Sequence, residues 1–256
     1  MADEHRRTGR ATTSLRTHAV WATVGGLAGR RQDELGRPLR VLDLGGGTGG
    51  MAVPLAGLGH HVTVVDPSPD ALAALERRAA EAGVAQRISA VQGDADTLAD
   101  VLPDRDTDLV CCHGVLEVVD DPEATLHAVA ESLADDGHLS LLVAGRLAVV
   151  LAKALAGDFA AARTALDSDD GRWGPADPLP RRFDLDQLEA LLSAAGFVGQ
   201  ESHGVRVLSD LVPSGLVDSE TDRTALLDLE QAISEHPHYA FLGALGAGLH
   251  VLARLA

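Results

Sequence analysis

The sequence predicts an α/β fold, a doubly wound and mostly parallel sheet of seven strands. Three observations carry that prediction. Short apolar runs alternate with helical stretches from Leu39 to Val143. A glycine-rich turn stands directly between the first apolar run and the helix after it. The later part, past Val143, adds two further strands in a different rhythm. At 256 residues the chain suits one large domain, read here as 1–256 with a helical leader at 1–38 and a helical insertion at 145–183 over the active site.

An Arg-rich leader, helical over Thr12–Gln32, precedes the first strand, Leu39–Leu44. Glycines and a helix over Met51–Leu58 follow. The strand His61–Val65 leads into a helix from Ser68 to Ala82, with Ser68 as N-cap, Pro69 in the first turn and Gly83 past the end. Ile88–Val91 precedes a helix over Asp94–Val101, and Leu109–Cys112 precedes one over Glu123–Leu133 that opens with Pro122. The fifth strand is His138–Val143. Five strands alternating with helices imply a parallel sheet covered on both faces. Beyond it the sequence predicts one Ala/Leu-rich helix over Gly145–Ala165, then a polar, proline-rich stretch from Asp167 to Arg182. A helix over Asp184–Ala195, a strand through Val198–Val207, a helix over Glu220–Ser234 and a last strand at Leu249–Ala253 complete the chain.

Composition narrows the function classes. With 46% apolar but only 3% aromatic residues, the core must be built from Ala, Val and Leu. The adjacent Cys111 and Cys112 are spaced for neither a metal pair nor a loop-closing disulfide, and read as buried strand residues in a reducing compartment. Met1–Arg10 is charged and lacks the apolar core of a signal peptide, and no later segment is a continuous apolar span. The expectation is a soluble, cytoplasmic protein with no membrane partner. A net charge of −17 repels polyanions, so a nucleic-acid partner would need a local basic patch.

The chemistry begins at Val41–Gly50, where glycines at a strand end let the backbone turn sharply and approach a ligand, and the next helix presents free amides. Gly45, Gly47 and Gly50 match the dinucleotide fingerprint, while Asp43, Gly45, Gly47 and Gly49 match an acidic-x-Gly-x-Gly-x-Gly loop. Asp66 ends the second strand about 20 residues beyond the first glycine, where a carboxylate accepts from ribose hydroxyls. Nicotinamide enzymes and methyltransferases share these features. Asp94-Ala95-Asp96 after the third strand and His113–Glu117 after the fourth favour the methyltransferase reading.

The segments Val41–Gly50, His113–Pro122 and Asp135–Leu142 resemble the class I S-adenosylmethionine-dependent methyltransferases. More narrowly, the chain resembles the bacterial tRNA 5-carboxymethoxyuridine methyltransferase group. Thr12–Arg16, His113–Glu117, Gly157-Asp158-Phe159, Gly204–Val207 with Asp210, and Leu226–Arg254 carry that resemblance. It implies S-adenosyl-L-methionine as cofactor and a carboxylate on the tRNA wobble uridine as acceptor. It further implies that Arg16 pairs with the methionine carboxylate, that Gly45 and Gly46 line the methionine part, and that Asp66 holds the ribose. Ala95 and Asp96 would flank the adenine, and His113 would touch the cofactor; Asp43 and Gly47 complete the cofactor set. Where the group carries aromatic and amide residues after the fifth strand, this chain has Val143-Ala144-Gly145-Arg146. That departure and the acidity keep a small-molecule O- or N-methyltransferase open as the alternative. A nicotinamide-dependent dehydrogenase and a non-catalytic cofactor-binding module stand behind it.

Arg146, Arg172, Arg181, Arg182 and Arg206 are the guanidiniums that could meet an anionic acceptor, with Arg146 and Arg206 chosen as substrate residues. Arg206 lies within the apolar run Val205–Leu208, where an unpaired charge is costly, and pairing with Asp210 is the alternative. A carboxylate acceptor needs no general base; a hydroxyl acceptor would need one, and His113 or His203 would then serve. Glu117 suits local hydrogen bonding better than proton transfer. His236-Pro237-His238 lacks a third ligand, so no metal is predicted.

Overall fold

In the computed structural model, which describes residues 18–102, 104–234, 236 and 238–256, the sheet has seven strands. They are β1 (Arg40–Leu44), β2 (His61–Asp66), β3 (Ile88–Gln92), β4 (Thr107–His113), β5 (Leu133–Ala144), β6 (Phe197–Val205) and β7 (Gly248–Leu255). The order across the sheet is β3-β2-β1-β4-β5-β7-β6. β1 to β5 pair in parallel, and β7 runs antiparallel between β5 and β6. The strand order reverses between β1 and β4, so the connections that leave their C-terminal ends run in opposite directions and open a crevice, the place where open α/β sheets bind ligands.

The helices are α1 (His18–Leu35), α2 (Ala52–Gly57), α3 (Pro69–Glu81), α4 (Leu98–Val101), α5 (Pro122–Ser132), α6 (Arg146–Leu155), α7 (Phe159–Asp167), α8 (Leu185–Ala194) and α9 (Glu220–Ser234). Capping explains where several begin. Ser68 Oγ accepts from Ala71 N at 3.2 Å, Asp121 accepts from the amides of Glu123 and Ala124 at 3.0 Å, and Asp184 accepts from Gln187 N at 3.1 Å.

Alternation along the strands builds two cores. Val110 and Cys112 of β4 face α5 and α8, with Leu42, Leu126, Val129 and Leu188, whereas Leu109 and Cys111 face the side covered by α1, α2 and α3. Val20, Val24 and Leu27 of α1 close that second side. The two cysteines are thus buried on opposite faces, and burial pushes both thiols up.

Three expectations need correction. The single helix predicted over Gly145–Ala165 is two helices, α6 and α7, packed against each other. Gly157 adopts φ +79°, which ends α6, and the Asp158 carboxylate accepts from Ala161 N at 3.1 Å to start α7; the Gly157-Asp158 pair is the local stop and start signal within a run otherwise rich in Ala and Leu. The helix predicted over Asp94–Val101 is a 3-10 turn at Ala95–Thr97 followed by α4. The strand predicted to reach Val207 ends at Val205, because Arg206 turns to φ +60° and Glu230 of α9 accepts from the amides of Val207, Leu208 and Ser209 at 2.7–2.9 Å. The predicted start of the leader helix, Thr12, lies outside the described residues; the described helix, α1, runs to Leu35, past the predicted end at Gln32.

The segment 145–183 leaves and rejoins the sheet at one point. Gly145 forms a parallel bridge with Phe183, Arg146 N donates to Phe183 O at 2.8 Å, and Phe183 N donates to Ala144 O at 3.0 Å. No described helix is long and apolar enough to cross a membrane.

Candidate cofactor and active site

The turn after β1 is wired to the end of β2. Gly45 N donates to Val65 O and Gly47 N to Asp66 Oδ2, each at 2.8 Å, while Ser68 N donates to Asp66 Oδ1 at 2.9 Å. Gly45 and Gly47 have φ of +68° and +54°, a region in which glycine is favoured. The Asp66 carboxylate is therefore held rigidly, and each oxygen keeps a second lone pair for a ligand hydroxyl.

Asp43 lies beneath the same turn. Its side chain is buried, Oδ2 has no hydrogen-bond partner among the described residues, and a Cβ on Gly46 would stand 2.5 Å from that oxygen. Burial raises the Asp43 carboxyl to about 7, with the Ala52 amide opposing the shift and the nearby Asp66 charge adding to it. A folded value above the unfolded one means that the folded state binds more protons between the two. Stability of the ligand-free protein should therefore fall as pH rises from about 4 to about 7. Melting temperatures of the wild type and Asp43→Asn should differ in slope over that range: the wild type loses Tm with rising pH that the variant keeps. Parallel curves would place the ionisation elsewhere.

A cleft of about 520 Å³ opens beside this turn, within the usual size range of small-ligand sites. Gly45, Asp66, Ala95 and Asp96 all line it, as does Gly114, next to His113. Val115, Val118 and Val119 add an apolar wall that the sequence reading did not single out. Val118 is 60% exposed, the signal being an apolar side chain in a loop at a strand's C-terminal end. Val115 also explains one glycine, since a Cβ on Gly45 would lie 2.6 Å from its Cγ2.

The loop after β4 is clamped from three sides. Gly114 N donates to Leu142 O at 2.8 Å, Ala144 N donates to Glu117 Oε1 at 2.7 Å, and Arg181 Nη1 donates to Val119 O at 2.6 Å and Leu116 O at 3.2 Å. Burial raises the Glu117 carboxyl, against hydrogen bonds from its own amide and that of Ala144. His113 is half-buried at the end of β4, its Nε2 is 2.8 Å from Ser140 Oγ, and burial lowers its imidazole to about 4, so the ring is neutral near pH 7.

A family model described as a methyltransferase domain matches residues 21–202. The chain belongs to that family. The tRNA 5-carboxymethoxyuridine methyltransferase of Escherichia coli strain K12 is 31% identical over 216 residues, 84% of this chain and 80% of that protein. The ubiquinone biosynthesis O-methyltransferase of Azorhizobium caulinodans is 32% identical over 191 residues, 72% of this chain and 68% of the relative. In fold, the chain is similar to the magnesium protoporphyrin IX methyltransferase of Synechocystis with bound S-adenosylhomocysteine, with a TM-score of 0.59 at 18% identity, covering 99% of this chain and 94% of that one.

This methyltransferase uses S-adenosylmethionine, and its residues suit that cofactor. The orphaned, buried Asp43 oxygen favours a cationic ligand, the glycine turn would be filled by any Cβ at Gly46, and Asp66 offers acceptors for a diol. When bound, the cofactor supplies an electrophilic methyl on a sulfonium. The chain's own task is then to bind, orient and exclude water.

Of the predicted cofactor residues, Asp43, Gly45, Gly46, Gly47, Asp66, Ala95, Asp96 and His113 all fall at the C-terminal ends of β1 to β4 or in the turns after them; Arg16 lies outside the described residues. The predicted substrate residues are engaged within the protein. Arg146 donates to the carbonyls of Ser168 and, at 3.0 Å, Asp169, and stands 3.4 Å from Asp184 Oδ2, tying α6 to the chain after α7. Arg206 pairs with Asp210 through Nε at 3.0 Å and through Nη2. Arg182 makes a two-point bond to the buried Asp177, at 2.6 and 2.9 Å. Arg172 keeps a buried Nε with no hydrogen-bond partner among the described residues. The described residues contain no His, Cys, Asp or Glu grouping disposed to hold a metal ion.

Proposed function

We propose that this methyltransferase acts on an oxygen atom of a small acceptor rather than on a polyanion. One observation carries the reading: four of the five candidate guanidiniums, Arg146, Arg181, Arg182 and Arg206, are bound to the protein's own carbonyls and carboxylates, while Asp94, Asp96, Asp120 and Asp121 line the cleft. A nucleic-acid backbone approaching there meets like charge with few free cations to offset it. The likeness to an O-methyltransferase of ubiquinone biosynthesis supports oxygen as the acceptor atom. In this reading the segment 145–183 forms the acceptor side of the site, with Arg181 coupling it to the loop after β4. A second reading, methylation of a carboxylate on the tRNA wobble uridine, is favoured by the 31% identity to the E. coli tRNA enzyme across 84% of this chain.

The test has two stages. Calorimetric titration with S-adenosylhomocysteine, with NAD and NADP as controls, should show binding of the first alone. Asp66→Ala should weaken it about 10- to 100-fold, since a hydrogen bond to a charged group contributes about 1.5–3 kcal/mol. Methyl-labelled cofactor is then supplied with separated tRNA and small-molecule fractions of a cell extract. Label in the small-molecule fraction supports the proposal. Label in tRNA establishes the second reading instead.

A further inference from the structure

Buried polar groups in strands must be paired, and β4, β5, β7 and β6 carry four polar side chains in one continuous row, two of them buried and two half-buried. His113 Nε2 lies 2.8 Å from Ser140 Oγ, Ser140 Oγ lies 2.8 Å from His250 Nε2, and His250 Nδ1 lies 2.8 Å from His203 Nε2. Thr23 of α1 stands 3.4 Å from the last nitrogen. Ser140 and His250 are fully buried, on the sheet face otherwise filled by Leu109, Cys111 and Leu252. Leucine or valine would fill that face at less cost, because an apolar side chain loses no hydration when buried. The row begins at the half-buried His113, adjoining the cleft residue Gly114, and ends at the half-buried His203 of β6.

We propose that Ser140, His250 and His203 are positioning residues that hold His113 in one tautomer, with Nδ1 as the proton acceptor, so that the acceptor is a hydroxyl whose proton leaves through the sheet. This rests on the reading of a small oxygen acceptor given above. One direction of donation satisfies every link: His113 Nε2–H to Ser140 Oγ, Ser140 Oγ–H to His250 Nε2, and His250 Nδ1–H to His203 Nε2. His113 Nε2 is thereby committed, and Nδ1 has no partner among the described residues. Burial lowers all three imidazoles, so the row rests uncharged.

The step balances. The acceptor oxygen forms its bond to the methyl carbon as the carbon–sulfur pair stays on sulfur, turning a sulfonium into a neutral thioether. The hydroxyl proton passes to His113 Nδ1, the Nε2 proton to Ser140, the serine proton to His250 Nε2, and the His250 Nδ1 proton to His203. The positive charge lost from sulfur ends on His203, which the nearby Glu201 carboxylate favours in its charged form.

Long-range proton–nitrogen correlation spectra of the protein labelled in its histidines read the tautomers directly, without an acceptor. At pH 7 they should show neutral His113 protonated on Nε2, with His250 and His203 protonated on Nδ1. Ser140→Ala should abolish the single-tautomer pattern of His113. The opposite tautomers, an imidazolium at His250, or a His113 signal unchanged in Ser140→Ala would overturn the proposal. His203→Gln keeps a hydrogen bond to His250 but cannot take the proton. It should slow transfer to small acceptors at least tenfold while S-adenosylhomocysteine affinity stays within twofold, and an unchanged rate would overturn the relay. If the wild type methylates no small acceptor, the reading above fails, while the tautomer pattern is still decided by the spectra.

Discussion

Gly46→Ala should abolish measurable cofactor binding. The added Cβ would stand 2.5 Å from Asp43 Oδ2 and 2.9 Å from Val64 Cγ1, and both neighbours are buried in β1 and β2. Neither is the free end of a flexible side chain, so the turn itself must move. That movement displaces Gly47 N from Asp66 Oδ2, now 2.8 Å away, and disturbs the carboxylate that faces the cleft. Affinity for S-adenosylhomocysteine should drop by at least about a hundredfold, roughly 2.7 kcal/mol, as read by calorimetry. Gly50→Ala is the control, because nothing lies within 4 Å of a Cβ at that position. Equal losses in both variants would remove the steric argument.

Asp177→Ala should produce the largest fall in stability. Arg182 is buried against Asp177, whose carboxylate also accepts from the amides of Trp173 and Leu179 at 3.0 and 3.1 Å. Burial would raise this carboxyl, but Arg182 and the two amides outweigh it and hold it below the usual range. Removing the carboxylate leaves a buried guanidinium without its partner, which costs about 3–5 kcal/mol. In a chain of this size that corresponds to a fall in Tm of roughly 10 °C. The combined variant Asp177→Leu, Arg182→Met should recover much of the loss, because the cost lies in the stranded charge. A folded value below the unfolded one means that the contribution of this pair is present above the unfolded carboxylate range and is lost as pH falls through the folded value. Wild type and Asp177→Ala should accordingly converge in stability in acid.

The glycine turn and the carboxylate beside the cleft were largely legible in the chain. Gly45, Gly47 and Asp66 belong to a local pattern, strand, turn, helix and next strand end, which is short in sequence and constrained by backbone geometry. Ser68 announced its helix by the same local logic. Arg206 was legible in part, since Asp210 four residues on stood as its alternative partner, whereas Arg146 was not, because its partners come together only in space. Ser168, Asp169 and Asp184 reach Arg146 only after α6 and α7 have folded back, and a turn at φ +60° brings Arg206 to Asp210. Ser140 and His250 carried a signal that went unread: single polar residues in otherwise apolar strands need partners.

By itself, then, the sequence determined the strand and helix alternation, the glycine turn and the carboxylate about 20 residues beyond it, because each depends on periodicity or on a few consecutive φ and ψ angles. Tertiary structure alone decided which cations remain free, where Val115 and Val118 wall the cleft, and that His113, Ser140, His250 and His203 share one hydrogen-bonded row. Those contacts join β4, β5, β7 and β6, residues far apart along the chain, and only the order of strands in the sheet brings them within hydrogen-bonding distance.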